Sequence, residues 1–153
     1  MMTDASDSVA TALRDGPPPG LYRVDGEVEA DRLRDGLADP NLAVFNLPGE
    51  TITDKPSFLA ACATAFRFPP TFGRNWDALA DLLGDLEWAK AARYVVIYHD
   101  PARFAQASPS DWAMALDIFR DTVAYWTQQK VTMWILFTGR TDGLDAIPML
   151  ATG

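Results

Sequence analysis

The chain predicts an α/β fold: a small parallel β-sheet of three core strands, with or without a fourth strand at its N-terminal edge, flanked by helices. Three runs, LAVFNL at Leu42–Leu47, YVVIY at 94–98 and VTMWILFT at 131–138, are apolar at consecutive positions. A strand apolar on both sides of its pleat is covered on both faces, as parallel strands between helices are. Between the runs, apolar residues recur three and four apart, the repeat of a helix with one buried side. With 153 residues, 48% hydrophobic and 22% charged, the chain suits a single domain with a real core.

In chain order, residues 1–20 end in Gly16, Pro17, Pro18, Pro19 and Gly20, which propagate neither helix nor central strand. They are expected to form a flexible tail, with 8–14 frayed or a short helix. Residues 21–24 suit a short edge strand, and 29–38 a modest helix built on Leu33 and Leu37. The strand Leu42–Leu47 is bounded by Asp39, Pro40 and Asn41 before it and by Pro48 and Gly49 after it. Thr53 and Asp54 then offer a cap, Pro56 sits in a first turn, and Phe58, Leu59, Cys62 and Phe66 share one helix face. The strand at 94–98 is followed by a long helix over 110–129, with Trp112, Ala115, Leu116, Phe119, Val123 and Trp126 on its core side. After the last strand, 139–153 reads as a second flexible tail, leaving 21–138 as the domain.

The most informative stretch is 68–86, FPPTFGRNWDALADLLGDL. Asn75 is the natural N-cap of a helix that Gly84 should end within a few residues. Trp76, Leu79, Ala80, Leu83 and Leu86 mark its buried stripe, while Asp77, Asp81 and Asp85 recur every four residues on another side. Like charges at that spacing destabilise a helix by about 0.2–0.5 kcal/mol per pair. No Lys or Arg between Asn75 and Glu87 relieves them. On composition alone such a row is a solvated face, yet it also suits a positively charged partner.

Thirteen basic against twenty-one acidic residues give a net charge of −8. That sign disfavours nucleic acid and anionic membranes and favours cationic proteins. A single cysteine, Cys62, excludes an internal disulfide, and its place on an apolar helix face predicts a buried thiol. One His (His99) and one Cys are too few ligands for zinc or copper, and no metal or cofactor is expected. His99 reads as a strand-end residue, and four of the five tryptophans as core; Trp88 either covers the end of the acidic helix or joins an interface. No GxSxG, HExxH, Walker lysine loop, GxGxxG or EF-hand pattern occurs, and Asp142–Asp145 is too short for a calcium loop. Asp77 and Asp81 look too solvated for acid–base work, so no enzyme is expected. A polar N-terminus without an apolar core segment, and no apolar run of membrane-spanning length, predict a cytoplasmic protein.

The loop and helix resemble the barstar family of intracellular inhibitors of barnase-type ribonucleases. Pro69, Phe72, Gly73, Asn75, Asp77, Ala78, Leu79, Asp81 and Leu83 fall in register on the family's aromatic/proline/Gly-x-Asn-x-Asp-Ala-Leu-x-Asp pattern. The likeness continues through Leu47-Pro48-Gly49 and its helix, YVVIY as the middle strand, LDIFRD at 116–121 and the final strand, covering 42–138. It implies inhibition by occlusion, in which acidic side chains replace substrate phosphates in a basic cleft. By position, Asp81 would enter the phosphate site with Asp77 beside it, Asp121 aligns with a family glutamate that meets the enzyme, and Gly73 and Asn75 present loop backbone. Thr71 and Ala80 stand where the family's best-known member carries aromatics, and Phe72 completes the implied contact set. The implied partner is a basic microbial ribonuclease or related toxin, with a monomer as the default oligomeric state. A barstar-fold adaptor that binds another intracellular protein is the alternative.

Overall fold

The computed structural model describes residues 4–152. Its centre is a four-stranded, all-parallel sheet in the order β1-β4-β3-β2, formed by β1 (Gly20–Arg23), β2 (Leu42–Leu47), β3 (Arg93–His99) and β4 (Thr132–Thr138). The fourth, N-terminal edge strand is therefore present, beside β4. Among the described residues, six α-helices surround the sheet: α1 (Ser6–Arg14), α2 (Ala30–Leu37), α3 (Lys55–Ala65), α4 (Trp76–Leu83), α5 (Ala102–Ala107) and α6 (Pro109–Gln128).

The continuous apolar runs divide by strand parity, as a pleat requires. Tyr94, Val96 and Tyr98 of β3, with Met133, Ile135 and Phe137 of β4, pack with Phe58, Leu79, Leu83, Phe104 and Phe119 from α3 to α6. Val95, Ile97, Trp134 and Leu136 point the other way, onto Val9 and Leu13 of α1 and Leu33 and Leu37 of α2. The sheet is thus buried on both faces, which explains why its central strands lack the polar alternation of a one-sided sheet.

Both ends of the chain correct the expected tails. Val9, Ala10 and Leu13 of α1 are fully buried against the sheet, so most of 1–20 is part of the packed body. The prolines do not end the domain: Trp134 Nε1 donates to the Pro17 carbonyl at 3.1 Å, tying the Pro-rich turn to β4. At the other end, Leu144, Ile147 and Leu150 are buried, and Arg23 of β1 exchanges backbone hydrogen bonds with Pro148 and Leu150. This segment covers part of an edge strand that would otherwise expose unpaired amides and carbonyls. Residues 1–3 and 153 of the expected tails lie outside the described residues.

Local signals place the elements that carry the candidate site. Asp54 caps α3 by accepting from the Ser57 amide at 2.9 Å, and Ser57 Oγ in turn accepts from the Asp54 amide at 3.1 Å. The Ser57 hydroxyl, which donates to Asp54 Oδ1 at 2.7 Å, and the Ser57 amide together hold the Asp54 carboxyl below its ordinary value. Gly49 follows β2 where the chain passes against β3; a Cβ there would run into the His99 carbonyl, so only glycine fits. Among the described residues, no helix is long and apolar enough to cross a membrane.

Burial pushes both the Cys62 thiol and the Tyr98 phenol well above their ordinary values. Cys62 is the buried thiol expected. Tyr98 is fully buried, and its hydroxyl finds no hydrogen-bond partner among the described residues. Leaving such a hydroxyl unsatisfied destabilises a fold by about 1–3 kcal/mol. Tyr98→Phe should therefore raise the urea midpoint, and a lowered midpoint would show that the hydroxyl is engaged in solution.

Candidate protein-binding face

The segment leading into α4 is anchored from below and bare on top. Arg67 adopts a left-handed conformation (φ 54°) that ends α3, and Phe68 folds back so that its amide donates to Ala63 at 3.0 Å. An aromatic series holds the loop: Phe66 stacks on Phe68 at 5.6 Å, and Phe72 meets Phe68 edge-on at 4.9 Å. Trp88 packs edge-on against Phe68 at 6.1 Å and donates from Nε1 to the Phe66 carbonyl at 2.7 Å. It therefore pins this loop from behind while remaining 39% exposed. Thr71, Gly73, Arg74 and Asn75 stay exposed, whereas Phe72 is half-buried.

Asn75 Oδ1 accepts from the Ala78 amide at 2.7 Å, the cap its residue type predicts. Trp76 is half-buried rather than core, held between Phe58, 5.9 Å away between ring centres, and the Lys55 ammonium, 5.2 Å from its ring. Leu79 and Leu83 sink into the core and turn Asp77, Ala80 and Asp81 outward. The helix stops at Leu83, with Gly84 as C-cap. Asp85 therefore lies beyond it, and the expected three-membered acidic row is a helical pair, Asp77 and Asp81. The cause is local: Gly84 weakens the helix, and Leu86 turns left-handed (φ 46°) to bury its side chain.

The long helix α6 crosses beside α4. Ile118, Phe119, Thr122 and Val123 are buried along it, Leu116 and Trp126 are half-buried, and Asp117 and Asp121 are exposed. Trp126 Nε1 donates to the Leu83 carbonyl at 2.9 Å, satisfying one of the free carbonyls at the C-terminus of α4 and fixing the two helices together. Between them lies a recess of about 350 Å³ lined by Ala80, Asp81, Gly84, Ile118, Asp121, Thr122 and Tyr125.

The packing thus brings Ala80 and Asp81 into one recess with Asp121, forty positions further along the chain. Thr71, Phe72, Gly73, Asn75 and Asp77 do not line it; they lead along the loop and first turn of α4 towards it. Tyr125 and Gly84, which sequence reasoning did not select, complete the walls. The only advance signal for Tyr125 is its place one helical turn after Asp121. Among the described residues, Asp77, Asp81 and Asp121 form no ion pair or side-chain hydrogen bond. Asp81 also lies in the last turn of α4, where the helix dipole disfavours a negative charge. Asp77 sits in the first turn of α4, where the dipole favours it, but no contact among the described residues accounts for Asp81 and Asp121.

Other polar groups are internally engaged. His99 Nε2 lies 2.6 Å from Asn46 Oδ1, and its Nδ1 is 3.3 Å from Thr138 Oγ1 and 3.7 Å from Glu27, joining the ends of β2, β3 and β4 to the segment after β1. Among the described residues, no group of three or more His, Cys, Asp or Glu side chains is placed to hold a metal. A larger recess of about 530 Å³ behind α6, against β1 and 146–148, contains no carboxylate.

No curated protein gives a significant match to the chain. The family described as Barstar (barnase inhibitor) matches residues 42–138. That span runs from the first residue of β2 to the last of β4 and contains the loop, α4 and α6. It covers well over half of the sequence, and the parallel sheet flanked by helices agrees with it: this chain belongs to the barstar family.

Proposed function

We propose that this protein is a cytoplasmic inhibitor that blocks the active site of a barnase-type ribonuclease or a related basic toxin with the face formed by loop 69–75, α4 and the exposed side of α6. The observation that carries this reading is the convergence of Asp81 and Asp121, unpaired, on one recess. Ribonuclease clefts hold phosphates with Arg and Lys, and fixed carboxylates complement such a cleft without chemistry. Asp81 would occupy the phosphate site, Asp77 and Asp121 would flank it, and Thr71, Phe72, Gly73 and Asn75 would supply loop contacts.

Titration against a panel of barnase-type ribonucleases, with RNA cleavage as readout, tests this directly. Stoichiometric 1:1 loss of activity is expected from at least one enzyme, with no cleavage by the inhibitor itself. No inhibition at micromolar protein across the panel would return the adaptor reading.

Association should also be steered by charge. Opposite fields act before contact and are screened beyond about 8 Å near physiological salt. The association rate should fall as salt rises from about 0.01 to 1 M while dissociation changes little. The barnase–barstar pair is the archetype of this behaviour, so the expectation is carried over from the family. A salt-independent association rate would remove the acidic face from docking.

A further inference from the structure

We propose that the recess between α4 and α6 is a socket for one protruding, guanidinium-ended side chain of the partner, with Tyr125 as its aromatic wall. The identity of that partner rests on the inhibitor reading; the chemistry of the socket rests on its own walls.

The space exists because two positions one turn apart, Ala80 on α4 and Gly84 at its C-cap, carry almost no side chain. Tyr125 stands across from them: a Cβ on Gly84 would lie 3.8 Å from Tyr125 Cδ2, an ordinary contact, so the ring lines the recess without filling it. The floor is apolar. Ile118 is buried, and the Thr122 hydroxyl is spent on the Ile118 carbonyl at 2.7 Å. Tyr125 itself remains 43% exposed, unlike Ile118 and Thr122 beside it. Asp81 and Asp121 add two carboxylates that no cation among the described residues neutralises.

An apolar floor, one aromatic wall and two carboxylates together specify the occupant. The floor takes a long aliphatic stem, and the carboxylates require a cationic head. A planar guanidinium stacks on a ring and donates to two carboxylates at once, whereas a compact ammonium does so less well. The socket would therefore select targets by one projecting arginine. A family member with a large side chain at the position of Ala80 would have filled this space itself.

The test needs no ribonuclease. Full-length protein is titrated with N-acetylarginine methylamide, N-acetyllysine methylamide and the neutral N-acetylnorleucine methylamide while amide ¹H–¹⁵N shifts are followed. The arginine probe should give saturable shifts centred on Asp81, Gly84, Asp121 and Tyr125, binding about threefold or more tightly than the lysine probe, and the neutral probe should give none. Ala80→Trp fills the socket while keeping both carboxylates and should abolish the shifts at an unchanged urea midpoint. Tyr125→Leu should erase the preference for arginine over lysine. Equal response to arginine and lysine, response to the neutral probe, shifts surviving Ala80→Trp, or no saturable shift would each overturn the socket. Localised arginine binding without inhibition of any ribonuclease would keep the socket and remove the inhibitor reading. Inhibition indifferent to Ala80→Trp, with a null titration, would do the reverse.

Discussion

Asp81→Ala should abolish tight inhibition while leaving the free protein as stable as before, or more so. In the free protein the substitution removes a like-charge neighbour of Asp77, relieves a negative charge at the C-terminal turn of α4, and introduces the best helix former. Each contributes some tenths of a kcal/mol, giving a stabilisation of about 1 kcal/mol. Because the helix ends before Asp85, one like-charge pair is relieved rather than two. In a complex, the aspartate would face buried Arg or Lys of the cleft, and truncating it leaves those cations unpaired. That loss is about 2–5 kcal/mol or more, a range to which the family's own archetypal pair contributes. Urea unfolding and ribonuclease titration of the same two proteins separate the effects. Lost stability with normal inhibition would make Asp81 a structural residue and displace the site.

Phe58→Ala should have the opposite profile. Phe58 is fully buried where α3, α4, β3, α5 and α6 meet, with ring centres 5.9 Å from Trp76, 6.4 Å from Tyr98, 5.3 Å from Phe104 and 5.9 Å from Phe119. Truncation removes the ring's transfer free energy and leaves a cavity that four aromatic neighbours from different elements cannot all relax into. The expected loss is about 3–5 kcal/mol, a large part of the 5–15 kcal/mol that stabilises a typical domain. At temperatures where the variant remains folded, its affinity for the ribonuclease should fall less than that of Asp81→Ala, since the acidic face is intact. An unfolding free energy from urea within about 1 kcal/mol of wild type would mean that this junction collapses freely and is not the keystone its contacts indicate.

These profiles follow a division between what local sequence carries and what only packing supplies. The strands β3 and β4 were legible because both their faces are buried, so each reads as an apolar run; the edge strand β2 was legible because Phe45 and Leu47 are buried and Leu42 and Val44 half-buried on the other face, with only Asn46 exposed. The cap at Asn75 and the buried stripe of Leu79 and Leu83 were legible because they depend on neighbours within a few residues. The short helix α5 was not: six residues behind Pro101 carry too little periodicity to stand out from the long helix that follows. For 8–14 a short helix was one of two readings, but its place in the packed body was not legible, because the partners of Val9, Ala10 and Leu13, namely Leu33, Leu37 and Trp134, are distant in sequence. The C-terminal apolar residues Leu144, Ile147 and Leu150 follow no helical or strand repeat, and only the β1 edge explains them. At the site, residue types suggested an acidic face, and the family resemblance linked Asp81 to Asp121. The recess between them depends on the crossing of α4 and α6, so Tyr125 and Gly84 came from the structure alone.

The α4–α6 face, and not the N- and C-terminal elements outside the family match, is expected to meet the partner. Amide hydrogen exchange of the protein, alone and in a 1:1 mixture with an inhibited barnase-type ribonuclease, tests it most directly. Complex formation should slow exchange across 71–85 and along 117–125 while leaving α1, α2 and 144–150 unchanged. Protection on the α1–α2 side, with α4 and the exposed side of α6 exchanging as in the free protein, would contradict it.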